Sequence, residues 1–138
     1  MQTLQQAIIC DLDGTLALMG SRTPFDWGRV SEDTPNAPVV ELLRRYATDH
    51  AIIVVTGRSE DCRIKTTRWL RQYGVPCLFL LMRQASDYRK DAVVKQELYD
   101  AHIRDRYEVV FCLDDRDQSV AFWRSLGLAC FQVAPGNF

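Results

Sequence analysis

No run of apolar residues approaches the length of a membrane span, and the first residues lack a basic-then-apolar signal pattern. Neither a membrane protein nor an exported one is expected, and we read the protein as cytoplasmic. A disulfide framework is missing as well. The five cysteines are an odd number and none forms a Cys-x-x-Cys pair. Cys10 and Cys112 lie inside apolar runs, where a thiol acts as a small hydrophobe. That usage fits a reducing compartment. There is no excess of charge of either sign. With 17 basic and 18 acidic residues the net charge is −1, so nucleic acid cannot be held by general attraction; any polyanion site must be a local cluster. No Gly-x-x-x-x-Gly-Lys occurs, which excludes a phosphate-binding loop of the nucleotide-kinase type. Repeats and low-complexity segments are lacking too.

What remains is an ordinary globular composition, 47% apolar and 25% charged over 138 residues. That is enough for one domain, residues 1–138, burying roughly two-thirds of its unfolded surface. Short apolar runs alternate with amphipathic segments. Ala7–Cys10 and Ala51–Val55 read as buried strands, and Cys77–Met82, Val109–Leu113 and Ala129–Val133 as three further strands. Asn36 stands as the cap of a helix with Pro38 in its first turn and Val39, Leu42, Leu43 and Tyr46 as its core stripe. Ser59 opens a second helix, which carries Arg63, Lys65, Arg68 and Arg71 on a solvated face and stops near Gly74. A third runs from about Asp91 with Val94, Leu98 and Ala101 inward. Val120 and Trp123 mark a fourth, ending at Gly127. The stretch from Ala17 to Asn36 has no clean period and reads as a loop or small flap. The alternation predicts an α/β fold: a doubly wound, parallel five-stranded sheet with helices on both faces.

The stretch that organises the chain is Ala7–Leu16, AIICDLDGTL. A buried strand breaks off into Asp11, Asp13, Gly14 and Thr15, at the edge where open α/β sheets bind ligands. Asp-x-Asp-Gly also suits a calcium loop, but Leu16, Ala17 and Leu18 offer none of the further oxygens such a loop needs. The pattern resembles motif one of the haloacid-dehalogenase-like (HAD) phosphatases. The resemblance implies that Asp11 is the nucleophile and Asp13 the general acid/base.

Three later stretches fit the same order: Thr56 after the second strand, Asp91 and Lys95 one helical turn apart, and Asp114-Asp115 after the fourth strand. A carboxylate approaching a phosphate meets repulsion of about 4 kcal/mol per unit pair at 4 Å in a protein-like dielectric. Asp114 and Asp115 worsen it unless they hold a cation, and hard oxygen ligands sharing a substrate oxygen fit Mg²⁺. The expected ligands are Asp11, the Asp13 backbone carbonyl and Asp115, with Asp114 either a ligand or an orienter. Lys95 then neutralises Asp11 and the phosphoryl group, Asp91 orients Lys95 or a metal-bound water, and Thr56 donates to a phosphoryl oxygen. Phospho-acceptor receiver domains use similar residues, but their acid pair follows the first strand and their Lys the fifth, and here the fifth strand ends without Lys.

SRTPFDW, TGR, MRQASDYRKDAVVKQEL and LDDRDQSVAFWRSLGLACFQVAPGNF extend the likeness. Over nearly the whole chain, Ala7 to Phe138, they resemble the 3′-phosphatase domains of T-even phage polynucleotide kinase-phosphatases. That resemblance implies removal of 3′-phosphates, and of 2′,3′-cyclic phosphates, from DNA or RNA ends. It gives Arg22, Arg58 and Arg83 phosphate- and substrate-binding roles, with Arg116 bracing Asp115. It also implies a kinase domain or ligase working on the same ends. Neither Gly14–Thr56 nor Thr56–Lys95 has room for a sizeable cap domain, so an open site for a macromolecular phosphate is expected. The alternative is an uncapped phosphatase of a phosphoprotein or small phosphate ester. A non-enzymatic end-binding module would have no use for Asp11 and Asp13 together.

Overall fold

A computed structural model of the chain describes residues 3–138. In chain order the strands are β1 (Gln5–Cys10), β2 (Ala17–Leu18), β3 (Thr34–Pro35), β4 (Ala51–Ser59), β5 (Phe79–Arg83), β6 (Tyr107–Asp114) and β7 (Cys130–Gln132). The helices are α1 (Ala37–Tyr46), α2 (Arg63–Gln72), α3 (Asp91–His102) and α4 (Asp117–Ser125). Five strands make one sheet in the order β5-β4-β1-β6-β7, and all its pairings are parallel.

β1 lies at the centre because both its faces are apolar, and the two faces feed different layers. Ile8 and Cys10 pack with Val39, Val40 and Leu43 of α1 and Trp69 and Leu70 of α2. Ala7 and Ile9 pack on the opposite side with Tyr99 of α3 and Val120 and Trp123 of α4. Residues two apart in a strand share a face, so this alternation builds one core on each side of the sheet. Ile8 and Ile9 are 0% and 1% exposed, each contributing roughly 2 kcal/mol by burial. The crossovers run outward from β1 through β4 to β5, then α3 returns the chain to β6. The β1/β6 pair is therefore the switch point, where side chains at the strand ends meet across an open crevice.

The expected doubly wound α/β sheet is the observed one. Several local features differ. The stretch 17–36 is a small flap in which β2 pairs antiparallel with β3, with a 3-10 segment, Trp27–Glu32, between them in the chain. Asn36 occupies the N-cap position of α1, but its side chain makes no cap bond there; its Nδ2 donates to the Thr15 carbonyl at 2.9 Å, tying the helix start to the loop after β1. Ser59 caps a 3-10 turn, Glu60–Cys62, rather than α2 itself. In α3 the buried residues are Val94, Lys95 and Tyr99, while Ala101 is exposed. Periodicity counted only apolar side chains, and a lysine with two carboxylate partners turned the helix. Among the described residues no helix is long and apolar enough to cross a membrane.

Candidate active site

The loop after β1 is a tight turn. The Asp11 amide donates to the Leu113 carbonyl at 2.9 Å, and the amides of Leu16 and Ala17 fold back onto the Leu12 carbonyl, each at 2.9 Å. Gly14 has φ +83°, a conformation that side chains resist. A Cβ there would also run into the Asp115 carboxylate. Glycine thus lets the loop after β1 close onto the end of β6.

Asp11, Asp114, Asp115 and Lys95 meet at that closure, all buried. Lys95 Nζ donates to Asp11 Oδ1 at 3.0 Å and to Asp114 Oδ2 at 2.9 Å. Thr15 Oγ1 lies 3.2 Å from Asp11 Oδ2 and 3.3 Å from Asp115 Oδ1, so one hydroxyl proton serves two carboxylates. Burial, and after it the Asp114 charge, push the Asp11 carboxyl well above its ordinary pKa, against the pull of Lys95. Burial likewise raises Asp115. Burial also works against the Lys95 charge, but Asp11 and Asp114 outweigh it and hold its pKa above the ordinary lysine value.

One oxygen from each of Asp11, Asp114 and Asp115 lies within 4.8 Å of the others. Three carboxylates against one lysine leave two negative charges unbalanced. A buried all-oxygen cluster with that deficit fits a hard divalent cation. Asp114 differs from its neighbours in being fully occupied. Its Oδ1 accepts from the amides of Asp115 at 2.9 Å and Arg116 at 3.3 Å, and its Oδ2 from Lys95 and, at 3.1 Å, from Trp123 Nε1. Those four donors match the four lone-pair sites of a carboxylate.

Asp13 stands apart from this cluster. Arg22 Nη2 and Arg58 Nη2 each donate to its Oδ1 at 2.7 Å. The same guanidiniums reach behind it to a buried residue that the sequence did not single out. Asp33 accepts from Arg22 Nε at 2.7 Å and from Arg22 Nη2 and Arg58 Nη2 at 2.8 Å. Its backbone carbonyl accepts from Trp69 Nε1 at 2.9 Å. The Arg22 and Arg58 side chains are 1% and 0% exposed. They face inward onto two aspartates, not out toward a ligand. An Asp in SEDTP just before a strand reads as a solvated turn, and only contacts far along the chain reveal its role.

Arg83 does line the cavity over the site. Its Nη2 donates to Asp91 Oδ1 at 2.7 Å and its Nε to the Gly57 carbonyl at 2.7 Å. Asp91 Oδ2 takes Arg116 Nη1 at 2.8 Å. Asp91 is therefore held by two arginines rather than bonded to Lys95, and Arg116 braces Asp91 rather than Asp115. Burial alone would raise the Asp91 pKa, but Lys95 and Arg116 outweigh it and lower it. Thr56 is buried beside the cavity, its Oγ1 accepting the Arg58 amide at 3.1 Å. The cavity has a volume of about 280 Å³, and Asp11, Asp13, Thr56, Lys95 and Asp115 all reach it. Pro24, Phe25 and Trp27 of the flap and Asp87–Lys90 of the loop after β5 also line it.

Residues 5–138 match the family model described as the polynucleotide kinase PNKP phosphatase domain. The chain belongs to that family. It is a HAD-type phosphatase domain, a phosphomonoesterase, and among the described residues no cap domain interrupts the sheet, in agreement with the interval lengths read from the sequence. It is similar to chains in two solved structures of a Pnkp1/Rnl/Hen1 complex, in one case described as an RNA repair complex. The identities are 42% and 41% and the TM-scores 0.95 and 0.96, covering 98% and 100% of this chain but 44% and 49% of those. It is 35% identical over 125 residues to a protein of Autographa californica nuclear polyhedrosis virus provisionally named a bifunctional polynucleotide kinase/RNA ligase, covering 88% of this chain and 18% of that protein. The chain thus spans less than half the length of these relatives. A haloacid dehalogenase-like hydrolase from Streptococcus pneumoniae, 11% identical, shares the fold at a TM-score of 0.63 over 94% of this chain and 84% of its own.

Proposed function

We propose that this PNKP-family domain removes the 3′-phosphate from nucleic-acid ends, with Mg²⁺, through an aspartyl-phosphate on Asp11. The observation that carries the reading is the contrast between two aspartates one residue apart. Asp11 sits with Lys95 at the metal-type triad; Asp13 is held separately by Arg22 and Arg58. The different surroundings separate the two roles, and the family's motif order says which is which: Asp11, which Lys95 and a bound cation would keep ionised, is the nucleophile, and Asp13, oriented by the two arginines, is the acid/base. Asp11 attacks phosphorus. Asp13 gives a proton to the departing 3′-oxygen, then takes one from the water that splits the acyl phosphate. Mg²⁺, held by Asp11, Asp115 and the Asp13 carbonyl, would screen the repulsion between Asp11 and the phosphate. Asp114, its acceptor sites filled, orients Asp115 and Lys95. Thr56 and Lys95 serve the phosphoryl oxygens. Arg83, on the cavity wall, acts through Asp91, as Arg22 and Arg58 act through Asp13.

The similarity to chains of an RNA repair complex supports end healing as the setting, with a kinase domain or ligase working on the same ends. 2′,3′-Cyclic phosphate ends are a second candidate substrate. The test is phosphate release from 3′-phosphorylated oligonucleotides, phosphopeptides and small phosphate esters. The oligonucleotide should be preferred by at least tenfold in kcat/KM. A preference for the phosphopeptide or small ester would replace this reading with that of an uncapped phosphatase of another phosphate class.

A further inference from the structure

The arginines that the sequence offers for the polymer are engaged internally: Arg22 and Arg58 on Asp13 and Asp33, Arg83 on Asp91. Beside the exposed Arg89 and Lys90, what faces outward at the cavity mouth is aromatic. Phe25, Trp27, Tyr88 and Phe138 all line the cavity that holds Asp11. Tyr88 and Phe25 are 89% and 73% exposed, the two highest values among the exposed large hydrophobic side chains. Single exposed aromatics need no explanation, but several from separate segments around one reactive crevice do.

These side chains are presented, not left loose. Both neighbours of Tyr88 are anchored. The Asp87 carbonyl accepts Arg83 Nη1 at 3.0 Å. Arg89 bonds Asp87 Oδ2 at 2.8 Å and Glu97 of α3 at 2.6 Å. Phe25 sits in a turn whose Thr23 carbonyl accepts from Arg22 Nη1 at 3.0 Å and from the Asp26 amide at 3.1 Å. The Arg116 guanidinium lies 5.1 Å from the Phe138 ring centroid.

We infer that Phe25 and Tyr88, with Trp27 and Phe138 beside them, form a stacking subsite for the terminal nucleobase of the phosphorylated end. This rests on the 3′-end reading above and names how that end is gripped. Stacking suits a chain of net charge −1, since it does not depend on neutralising backbone phosphates. Every base has a π-face, so the subsite tolerates any terminal base and favours purines only slightly. Few phosphate contacts also mean a shallow salt dependence.

The experiment compares two 3′-phosphorylated oligonucleotides, one ending in an ordinary nucleotide and one in an abasic residue, for wild type, Tyr88→Ala, Phe25→Ala and Tyr88→Phe. Wild type should favour the base-bearing end by about tenfold in kcat/KM, mainly through KM. Each alanine variant should lose several-fold more on the base-bearing end than on the abasic one, and Tyr88→Phe should retain the preference. Equal rates on both ends, or equal losses on both in the alanine variants, would overturn the stacking subsite while leaving the 3′-phosphatase reading intact. Failure to hydrolyse either oligonucleotide would instead overturn that reading, and the subsite with it.

Discussion

Replacing Asp33 with Asn tests the part of the site that contains no reacting atom. Asp33 accepts three charge-assisted bonds from Arg22 and Arg58. The side chains of Arg22, Arg58 and Asp33 are at most 1% exposed. Two arginines face two aspartates there, so the group is balanced. Asn keeps one acceptor and turns an NH₂ toward guanidinium donors. At least one of the three bonds is lost, since Oδ1 takes one and Oδ2 two, and a positive charge is left uncompensated. Breaking a buried pair in this way costs about 3–5 kcal/mol. For a domain of this size the melting temperature should fall by roughly 10 °C. Asp13 would then be gripped by arginines no longer fixed from behind, so kcat should fall by about tenfold with KM little changed. Thermal unfolding and steady-state phosphate release measure the two effects. Glu32→Gln, at the exposed neighbour, is the control and should do little. An Asp33→Asn protein that melts with wild type and turns over at the wild-type rate would refute the positioning role.

Asp115→Asn should raise the Mg²⁺ concentration needed for activity more than Asp114→Asn, whereas Asp114→Asn should cost more stability because either Lys95 and Trp123 or the two amides lose their acceptor; Mg²⁺ titration of activity and thermal unfolding check the pair, and the reverse order would exchange their roles. Excess EDTA should abolish turnover; undiminished hydrolysis would contradict the metal assignment. Above about pH 4 the stability of the metal-free protein should fall as pH rises. Asp11 and Asp115 have folded pKa values raised by burial, so their contribution is complete below the unfolded carboxylate pKa of about 4 and is lost as pH climbs through the folded values. Mg²⁺ should therefore raise the melting temperature more at about pH 7.5 than at about pH 5; a larger shift at the acidic pH would refute it.

Much of this was legible in the residues. The period of each apolar run gave the sheet and its helices, and abrupt polar residues at strand ends marked Asp11, Asp13, Thr56, Asp114 and Asp115, which do share one edge of the sheet. Lys95 is marked by its place between Thr56 and Asp114-Asp115, and Val94 and Leu98 turn inward as their spacing predicts; only Ala101 departs, because a buried lysine looks polar to a hydrophobicity pattern. Asp33 was not legible. Its partners lie 11 and 25 residues away, in a stretch without periodicity. The same holds for the direction of the arginines: Arg58 reaches Asp13 across 45 residues, and sequence spacing does not say whether a guanidinium meets a carboxylate of the protein or a phosphate of the substrate.

The most direct test is to trap the intermediate. An oligonucleotide carrying a labelled 3′-phosphate is mixed with the protein and Mg²⁺, quenched in acid within milliseconds, and the protein is digested for mass spectrometry. Label should appear on the peptide containing Asp11, be released by hydroxylamine as an acyl phosphate is, and be absent from Asp11→Asn. A folded Asp11→Asn protein that still releases phosphate at near the wild-type rate, or label found on another residue, would contradict the account.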